Sequence, residues 1–375
     1  MKYYIIAGEA SGDLHGSNLI KALKNIDPQA RFRVWGGDKM QFAGGDLVRH
    51  YRHHAFMGLI PVIRNFNTIR KNFQFAEEDI LKYQPDALIL IDYSGFNLTV
   101  AKRVYNKGFK IFYYISPQVW AWRKSRVFKI KKYIDRMYTI LPFEPSFYAQ
   151  FDVDVDYVGH PLLDAIHDFK REFSLTRAEF IRHHNLTDKP IIALLPGSRK
   201  QEVSAMLPVM LEASRNFHNH QFIIAGTSSQ DPGFYEQYLH QDKLTVLYDQ
   251  TYPLLYFAQA ALVTSGTATL ETALFKVPQV VCYRAGTLSY YIVKSLVHIR
   301  YISTVNLIMD QPVVEELIQQ HLTPEKCARS LNKLLTDDDH RERQKKLYGA
   351  LEDKLEGPGA SIRAAEGMYR ILTSE

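Results

Sequence analysis

Residues 260–271 read AALVTSGTATLE, an apolar run that breaks into small hydroxyl residues and then resumes in a helical pattern. This pattern predicts a β-strand, a tight turn and the start of an α-helix. Such a junction directs unpaired backbone N–H groups and the positive end of the helix dipole into one space, where Ser265, Gly266 and Thr267 leave room for a phosphate. Glu271, one turn further on, is placed to accept hydrogen bonds from a diol such as a ribose. The stretch therefore indicates a nucleotide site in an α/β fold.

Glu271 also has a simpler explanation, because an acidic residue early in a helix suits the helix dipole. A capping box would require Ser or Thr three residues earlier, where this chain has Ala268. Strand-turn-helix junctions with Gly and Thr also occur throughout α/β proteins. On this stretch alone, the ligand interpretation and the structural one both stay open.

The composition describes a folded chain with anionic partners. Its 375 residues, 46% hydrophobic and 23% charged, are enough for two globular domains. The two cysteines, Cys282 and Cys327, lie in apolar or helical surroundings, which favours a reducing compartment. No apolar run approaches the roughly 18 residues of a spanning helix, and the first run is too short for a signal peptide. The net charge of +6 and the isoelectric point near 9.0 do not say which anion binds.

Short β-rich runs alternate with amphipathic segments along the chain. This alternation is typical of βαβ units in parallel sheets, whose ligands bind at the carboxyl ends of the strands. The sequence therefore predicts an α/β fold of two doubly wound Rossmann-like domains facing a cleft. The predicted strands are 3–6, 32–35, 87–91, 111–115, 137–141 and 156–158 in the first domain, and 191–195, 222–225, 245–247, 262–264 and 279–282 in the second.

Two more strand ends carry glycine-rich turns. Residues 7–13, AGEASGD, lack both the G-x-G-x-x-G spacing and a P-loop lysine. Their acids, Glu9 and Asp13, would repel a diphosphate, which favours sugar hydroxyls or proton transfer, although Asp13 also suits a helix start. Residues 194–199, LLPGSR, offer Arg199 for bidentate contact with phosphate, unless it is only an exposed arginine.

Residues 116–123 read SPQVWAWR and hold two of the three tryptophans. With AGEASGD, LLPGSR, SGTATLE (265–271) and YVGHPLLD (157–164), the chain resembles the lipid-A-disaccharide synthases along nearly its whole length. The resemblance implies a glycosyltransferase B fold and an inverting enzyme that joins UDP-2,3-diacylglucosamine to 2,3-diacylglucosamine 1-phosphate. UDP and the β-1,6 disaccharide of lipid A would be its products. The alternative is another enzyme of this fold that uses UDP-N-acetylglucosamine, such as a transferase or a 2-epimerase.

The resemblance also implies the site residues. The expected UDP-binding set is Gly197, Ser198, Arg199, Ser265, Gly266, Thr267, Glu271 and Asn306. Many relatives carry a second Asp in the motif that here reads IDYSGFN (91–97), and this chain has Gly95 in its place. The base for the acceptor's 6-hydroxyl is therefore expected among Asp92, Glu9 and Asp13. We favour Asp92, since partial burial at the end of the apolar run 87–91 would raise its pKa, although it could instead tie down the following loop.

The domain assignment follows from the motifs and the prolines. We expect an acceptor-binding, membrane-facing domain at 1–165 and a UDP-sugar-binding domain at 166–345. The helices of 346–375 are expected to pack back on the first domain or on a partner subunit, so a homodimer stays open. The partners implied are the UDP-linked acylated donor and the acylated glucosamine 1-phosphate acceptor.

Several residues are of types that bind metals, but they lack the spacing of a metal site. Residues 152–156 contain the D-x-D spacing that other glycosyltransferases use for a metal, yet they alternate strictly with Val. A half-exposed strand with its acids in water explains this alternation. The histidines at 53–54, 183–184, 218 and 220 lack the spacing of a zinc site and are expected at the surface. We expect no metal and no cofactor.

Two segments indicate a surface for anions and lipids. The first is a basic cluster made of Arg123, Lys124, Arg126, Lys129, Lys131, Lys132 and Arg136. This cluster could bind a phosphorylated acceptor, an anionic membrane or nucleic acid, or it could be a solvated helix face. The sequence contains no nucleic-acid recognition module beside it. The second is 57–73, apolar and cationic as in an interfacial helix, or else an ordinary core helix. Acyl-chain or membrane contact is expected from Leu59, Ile60, Val62, Ile63 and Phe66. The expected location is cytoplasmic, with peripheral attachment to the inner membrane.

Overall fold

The computed structural model describes residues 1–53, 66–122, 124–231, 233–239, 244–286 and 300–374. The described strands are β1 (Lys2–Ala7), β2 (Arg31–Gly36), β3 (Gly45–His50), β4 (Ala87–Ile91), β5 (Lys110–Tyr114), β6 (Arg136–Thr139), β7 (Val155–Tyr157), β8 (Ile191–Leu195), β9 (Gln221–Gly226), β10 (Thr245–Tyr248), β11 (Ala258–Thr264), β12 (Gln279–Tyr283) and β13 (Glu315–Ile318). The described α-helices are α1 (Ala10–Ile26), α2 (Asp38–Phe42), α3 (Phe66–Tyr83), α4 (Ser94–Val104), α5 (Val119–Trp122), α6 (Val127–Tyr133), α7 (Glu144–Ala149), α8 (Pro161–Glu172), α9 (Arg177–His183), α10 (Lys200–Ser214), α11 (Gly233–Leu239), α12 (Thr251–Phe257), α13 (Thr267–Leu274), α14 (Thr304–Met309), α15 (Pro324–Thr336), α16 (Asp338–Lys354) and α17 (Ala360–Thr373).

The chain divides into two compact units. One comprises Met1–Asp164 together with Gly357–Glu375, and the other comprises Ala165–Glu356. The backbone therefore changes unit twice, after Asp164 and after Glu356. The start expected for the C-terminal segment, residue 346, lies inside α16, because sequence alone does not show that this helix continues to Lys354.

The first unit is built on one parallel sheet whose described strands have the order β3-β2-β1-β4-β5-β6-β7. Helices cover both faces, so the central strands are apolar along nearly their whole length. Alternate residues point to opposite faces: Tyr3 and Ile5 pack with residues of α1 and α17, whereas Tyr4 and Ile6 pack with residues of α3 and α4. The C-terminal helix α17 is thus part of the core of this unit.

The second unit repeats the plan with a parallel sheet whose described strands have the order β10-β9-β8-β11-β12-β13. Leu194 and Leu262 face α10 and α15, and Leu195 and Val263 face the opposite side. Both cysteines are buried on the α15 side and are free thiols. Within the described ranges, no helix combines the length and apolarity needed to cross a bilayer.

Each predicted strand overlaps an observed one, but two strands were missed. β3 and β13 lie at the edges of their sheets, and most of their residues are only partly buried. An edge strand with polar residues has no continuous apolar run, so the periodicity that reveals a central strand is absent.

The strand order reverses direction at one point in each sheet. In the first unit this switch point lies between β1 and β4, where Ala7 pairs with Ile91. In the second it lies between β8 and β11, where Leu195 pairs with Val263. Ligands of open α/β sheets bind outside the carboxyl ends of the strands at such points. The register therefore places AGEASGD beside IDYSGFN in one unit, and LLPGSR beside SGTATLE in the other.

Candidate active site

The turn after β11 presents an open helix N-terminus. Gly266, at φ +148°, is the N-cap of α13, and no side chain of the described residues caps that helix. Gly266 and Thr267 are exposed, whereas the Ser265 hydroxyl donates to the Ile302 carbonyl at 2.8 Å. Unpaired N–H groups at a helix N-terminus attract anions, so this turn has the properties that phosphate binding requires.

The turn after β8 differs because a carboxylate already occupies it. Oε2 of Glu202 accepts hydrogen bonds from the backbone N–H groups of Ser198, at 3.2 Å, and Arg199, at 3.3 Å. The Arg199 side chain is 58% exposed, and its Nη1 lies 3.5 Å from Glu202 Oε1. The guanidinium is therefore the group of this turn that can reach a diphosphate. Glu202 was missed, although its spacing of three residues from Arg199 is that of a capping box.

Glu271 lies on α13, partly buried, and burial raises its pKa. Its Oε1 accepts a hydrogen bond of 3.1 Å from the hydroxyl of Tyr252, on α12. This bond favours the ionised carboxylate and so opposes the effect of burial. No sequence pattern indicates Tyr252, which stands nineteen positions away from Glu271.

Asn306 does not present its amide to a ligand. Its side chain is 1% exposed and makes four hydrogen bonds: Nδ2 donates to Val314 O and Glu316 Oε1, and Oδ1 accepts from the N–H groups of Val313 and Val314. Both donors and both lone pairs of the amide are thereby used. A direct contact between this amide and UDP stays a prediction, and it would require the amide to exchange one of these bonds. Through Glu316, which accepts from the backbone of Ile302, the amide supports the segment that also holds Ser265.

Asp92 follows β4 in a strained turn. Asp92 and Tyr93 both have φ +44°, a left-handed conformation that non-glycine residues rarely adopt. Asn97 Nδ2 donates to the Asp92 carbonyl at 2.8 Å, and the Tyr113 hydroxyl donates to the same oxygen. These two bonds fix the turn and present the Asp92 carboxylate at the carboxyl edge of the sheet.

The carboxylate of Asp92 is accessible to water, yet protein atoms crowd around it and raise its pKa to about 6. Repulsion from Glu9 acts in the same direction, so the structure brings these two acids of the predicted set together. Gly8 allows the Tyr93 ring to lie against its backbone, since a Cβ at this position would lie 2.3 Å from that ring.

Asp13, the third predicted acid, is a helix cap. It is 3% exposed, and its carboxylate accepts from the backbone N–H groups of Gly37 (2.8 Å), Lys39 (3.1 Å) and Met40 (3.0 Å). These bonds tie α1 to the start of α2. Protonation would weaken these three bonds, and this favours the structural explanation for Asp13.

The SPQVWAWR motif contacts α7, which carries a buried carboxylate that the sequence did not predict. Glu144 is fully buried, and its Oε2 accepts from the N–H groups of Ile140 (3.1 Å) and Leu141 (2.9 Å). Burial raises its pKa to about 7, whereas the backbone N–H groups of Leu141 and Ile140 favour its ionised form. On the same helix, the Tyr148 hydroxyl lies 2.8 Å from the Ser116 hydroxyl of the motif, so α7 anchors the motif.

The three acids of the D-x-D stretch are exposed, as expected, at 95% for Asp152, 82% for Asp154 and 38% for Asp156, and two of them also pair with one cation. Arg136 binds Asp154 at 2.5 Å and Asp156 at 2.7 Å, because β6 and β7 are neighbours in the sheet. In the part of the chain that the structure describes, no group of three or more His, Cys, Asp or Glu side chains could hold a metal. His183 and His218 are exposed, His184 and His220 are partly buried, and His54 lies outside the described residues.

The same pairing removes Arg136 from the exposed basic cluster. Arg126 donates to the Ser94 hydroxyl, and Lys131 lies 3.6 Å from Asp152. Arg123 lies outside the described residues, as do Leu59, Ile60, Val62 and Ile63; Phe66 begins α3.

A cavity of about 340 Å³ in the second unit lies at the opposite edge of the sheet from the motifs. Its cationic residues are paired with neighbouring acids: Lys276 with Glu352 at 2.6 Å and Lys345 with Glu342 at 3.0 Å. It contains none of the predicted site residues and does not compete with the switch point as a nucleotide site.

Two doubly wound parallel sheets with ligand-type turns at both switch points define the class as the glycosyltransferase B fold. Over 99% of this chain and 100% of the other, the fold matches that of UDP-GlcNAc 2-epimerase from Neisseria meningitidis bound to UDP-GlcNAc, with a TM-score of 0.70 and 10% identity. The calicheamicin glycosyltransferase matches with a TM-score of 0.59 and 15% identity, over 99% of this chain and 98% of that one. At such identities the likeness is one of fold.

The chain belongs to the lipid-A-disaccharide synthase family. The family described as lipid-A-disaccharide synthetase matches residues 3–364. The lipid-A-disaccharide synthase of Syntrophus aciditrophicus is 40% identical, covering 96% of this chain and 95% of its own, and that of Trichlorobacter lovleyi is 38% identical with the same coverage. The predictions of fold class and family are thereby confirmed.

Proposed function

We propose that this protein joins UDP-2,3-diacylglucosamine to 2,3-diacylglucosamine 1-phosphate, releasing UDP and forming the β-1,6 lipid A disaccharide 1-phosphate. The observation that carries the proposal is the position of the family's motifs at both switch points, where α/β sheets bind ligands. Family membership supplies the identity of the substrates, and the geometry supports a division of labour between the two units.

The second unit holds the UDP of the donor in this proposal. The uncapped N-terminus of α13 and the exposed Arg199 guanidinium supply partial and full positive charge for the diphosphate. Glu271 accepts hydrogen bonds from the ribose. Asn306 acts by supporting this site, since its amide is fully used within the protein.

The first unit binds the acceptor and supplies the base in this proposal. The acceptor's 6-hydroxyl oxygen attacks the anomeric carbon of the donor while the bond from that carbon to the UDP oxygen breaks. The hydroxyl proton passes to the Asp92 carboxylate, and UDP leaves from the opposite face, so the configuration inverts. A pKa of about 6 leaves Asp92 ionised at neutral pH and more basic than an ordinary aspartate.

One experiment tests the reaction. The purified protein is incubated with both acylated substrates, and the products are analysed by mass spectrometry for the disaccharide 1-phosphate and UDP. The same assay with UDP-N-acetylglucosamine alone tests the 2-epimerase alternative, which the fold likeness suggests. Epimerised sugar nucleotide without disaccharide would overturn the proposal in favour of that alternative.

We also propose that the protein is cytoplasmic and attaches peripherally to the anionic surface of the inner membrane. The structure supports this through α6, where Phe128 is 62% exposed and is flanked by exposed Lys124, Lys129, Lys131 and Lys132. An aromatic side chain among cations suits the interface of an anionic bilayer. The apolar segment around Leu59 is proposed to contribute acyl-chain contacts.

Flotation with anionic liposomes at low salt tests this attachment. Phe128→Ser, and separately the replacement of Leu59, Ile60 and Ile63 by Ser, are expected to reduce liposome binding without unfolding the protein. Phe42→Ser is the matched control, since Phe42 is 92% exposed on α2. An equal loss in the control, or wild-type protein that does not float, contradicts the proposal. The expected homodimer stays a prediction that light scattering can measure.

A further inference from the structure

Tyr252 is held beside the proposed nucleotide site of the second unit by one hydrogen bond and two aromatic contacts. Its hydroxyl donates to Oε1 of Glu271 at 3.1 Å. Its ring lies 5.5 Å from the ring of Phe169 and 5.3 Å from that of Phe275. Because α8 and the end of α13 hold the ring from two sides, the hydroxyl has little freedom to leave the carboxylate.

A carboxylate on a helix can rotate about its last torsion, which is broad and poorly defined by itself. Fixing one oxygen with a held phenol removes that freedom and leaves the other oxygen to accept from a ligand. Burial raises the pKa of Glu271, and a bond to the charged form offsets this effect. The phenol therefore acts on both the orientation and the ionisation of the carboxylate.

We propose that Tyr252 is a positioning residue that orients Glu271 to read the vicinal hydroxyls of a nucleotide's ribose. The inference rests on the proposed function, in which Glu271 faces that ribose. Tyr252 does not touch the nucleotide; it acts through Glu271. It thereby makes recognition of the sugar depend on α12, an element outside the two motif turns.

The test compares UDP with 2′-deoxy-UDP and 3′-deoxy-UDP by calorimetry on the full-length protein. Wild type is expected to prefer UDP over at least one deoxy analogue by about 10-fold or more, the worth of a hydrogen bond to a charged acceptor. Tyr252→Phe keeps the ring and its packing but removes the donor. It is expected to weaken UDP binding by roughly 3- to 10-fold and to reduce the preference to about 3-fold or less, since the bond to the ribose is then poorly aligned.

Tyr256→Phe is the matched control, because Tyr256 lies one turn later on α12 and contacts Phe169 and Phe173 through its ring. This variant is expected to keep the wild-type preference. A Tyr252→Phe protein that keeps the full preference, or that loses affinity for all ligands equally, overturns the inference and leaves the proposed function intact. Wild-type protein that binds UDP and both deoxy analogues equally shows instead that the proposed ribose contact of Glu271 is wrong.

Discussion

In the first unit the turns at the switch point bring together two carboxylates, Glu9 and Asp92, whereas in the second unit the corresponding turns present an open helix N-terminus and Arg199. The topology of the two places is the same, so the fold does not decide their chemistry. The residues placed in a few turn positions make one place suited to accepting a proton and the other to holding an anion.

The backbone conformations of the two switch-point sites also differ, because one site uses backbone N–H groups and the other uses a carboxylate. In the two motif turns of the second unit the positive φ values fall on glycines, Gly197 at +107° and Gly266 at +148°, where such a conformation costs little. In the first unit they fall on Asp92 and Tyr93, which need Asn97 and Tyr113 to hold them. A site that works through backbone N–H groups can use glycine, but a site that works through a carboxylate has to accept the strain.

The largest expected effect concerns the acidic place. Asp92→Asn is expected to lower kcat by roughly 10²–10⁴, the usual worth of a general base, with UDP affinity nearly unchanged. Since the pKa of Asp92 is raised to about 6, the base is ionised above that pH, and wild-type activity is expected to fall as the pH drops through 6. Steady-state kinetics across pH 5–8, with calorimetry for UDP, measures both effects. Near-normal turnover in the variant would pass the role to Glu9 or Asp13.

The same variant also tests the cost of ionising the Asp92 carboxyl in the folded protein. A raised pKa in the folded state means that the fold favours the protonated carboxyl, so this contribution to stability is present at low pH and is lost as the pH rises through 6. Asp92→Asn is therefore expected to raise the Tm at pH 7.5, and the gain is expected to disappear near pH 4. A lower Tm at pH 7.5 would show that the carboxylate stabilises its turn instead.

The next effect concerns the anion-binding place. Arg199→Ala and Glu271→Ala are each expected to weaken UDP binding by about 1.5–3 kcal/mol, the range for hydrogen bonds to charged groups. Arg171→Ala is a suitable control, because Arg171 is 62% exposed, close to the 58% of Arg199, but lies on α8. Calorimetry measures all three. UDP binding equal to wild type in both test variants would place the nucleotide elsewhere.

A stability measurement distinguishes the structural role of Asp13 from the roles proposed for Glu9 and Asp92. Asp13→Ala leaves three backbone N–H groups without their acceptor and is expected to lower the free energy of unfolding by about 1–3 kcal/mol. UDP affinity is expected to stay unchanged, since UDP binding is assigned to the other unit. Urea unfolding measures the first effect and calorimetry the second. An Asp13→Ala protein of wild-type stability whose kcat had collapsed would instead make Asp13 the catalytic base.

Central strands and motif turns could be predicted from the sequence because both are local. The run 87–91 is apolar throughout, and SGTATLE carries its small residues in consecutive positions. The edge strands β3 and β13 could not, since partly exposed strands lack that signal. The partners of site residues are not local either: Tyr252 meets Glu271, and Glu316 meets Asn306, only because helices and strands pack. Whether a polar residue faces a ligand or the protein depends on those contacts, as Asp13 and Asn306 show.

The smallest expected effect concerns Gly95, the position at which the sequence resemblance implied an Asp. A Cβ at Gly95 would meet no atom within 4 Å, and the residue is exposed in the first turn of α4. Gly95→Asp is therefore expected to fold normally and to gain about 0.3–1 kcal/mol from the helix dipole. If Asp92 is the base, the variant keeps wild-type kcat within a few-fold. The double variant Asp92→Asn/Gly95→Asp then decides between the two acids: recovery of turnover shows that the second position can supply the base, and continued inactivity shows that the strained turn at Asp92 is required.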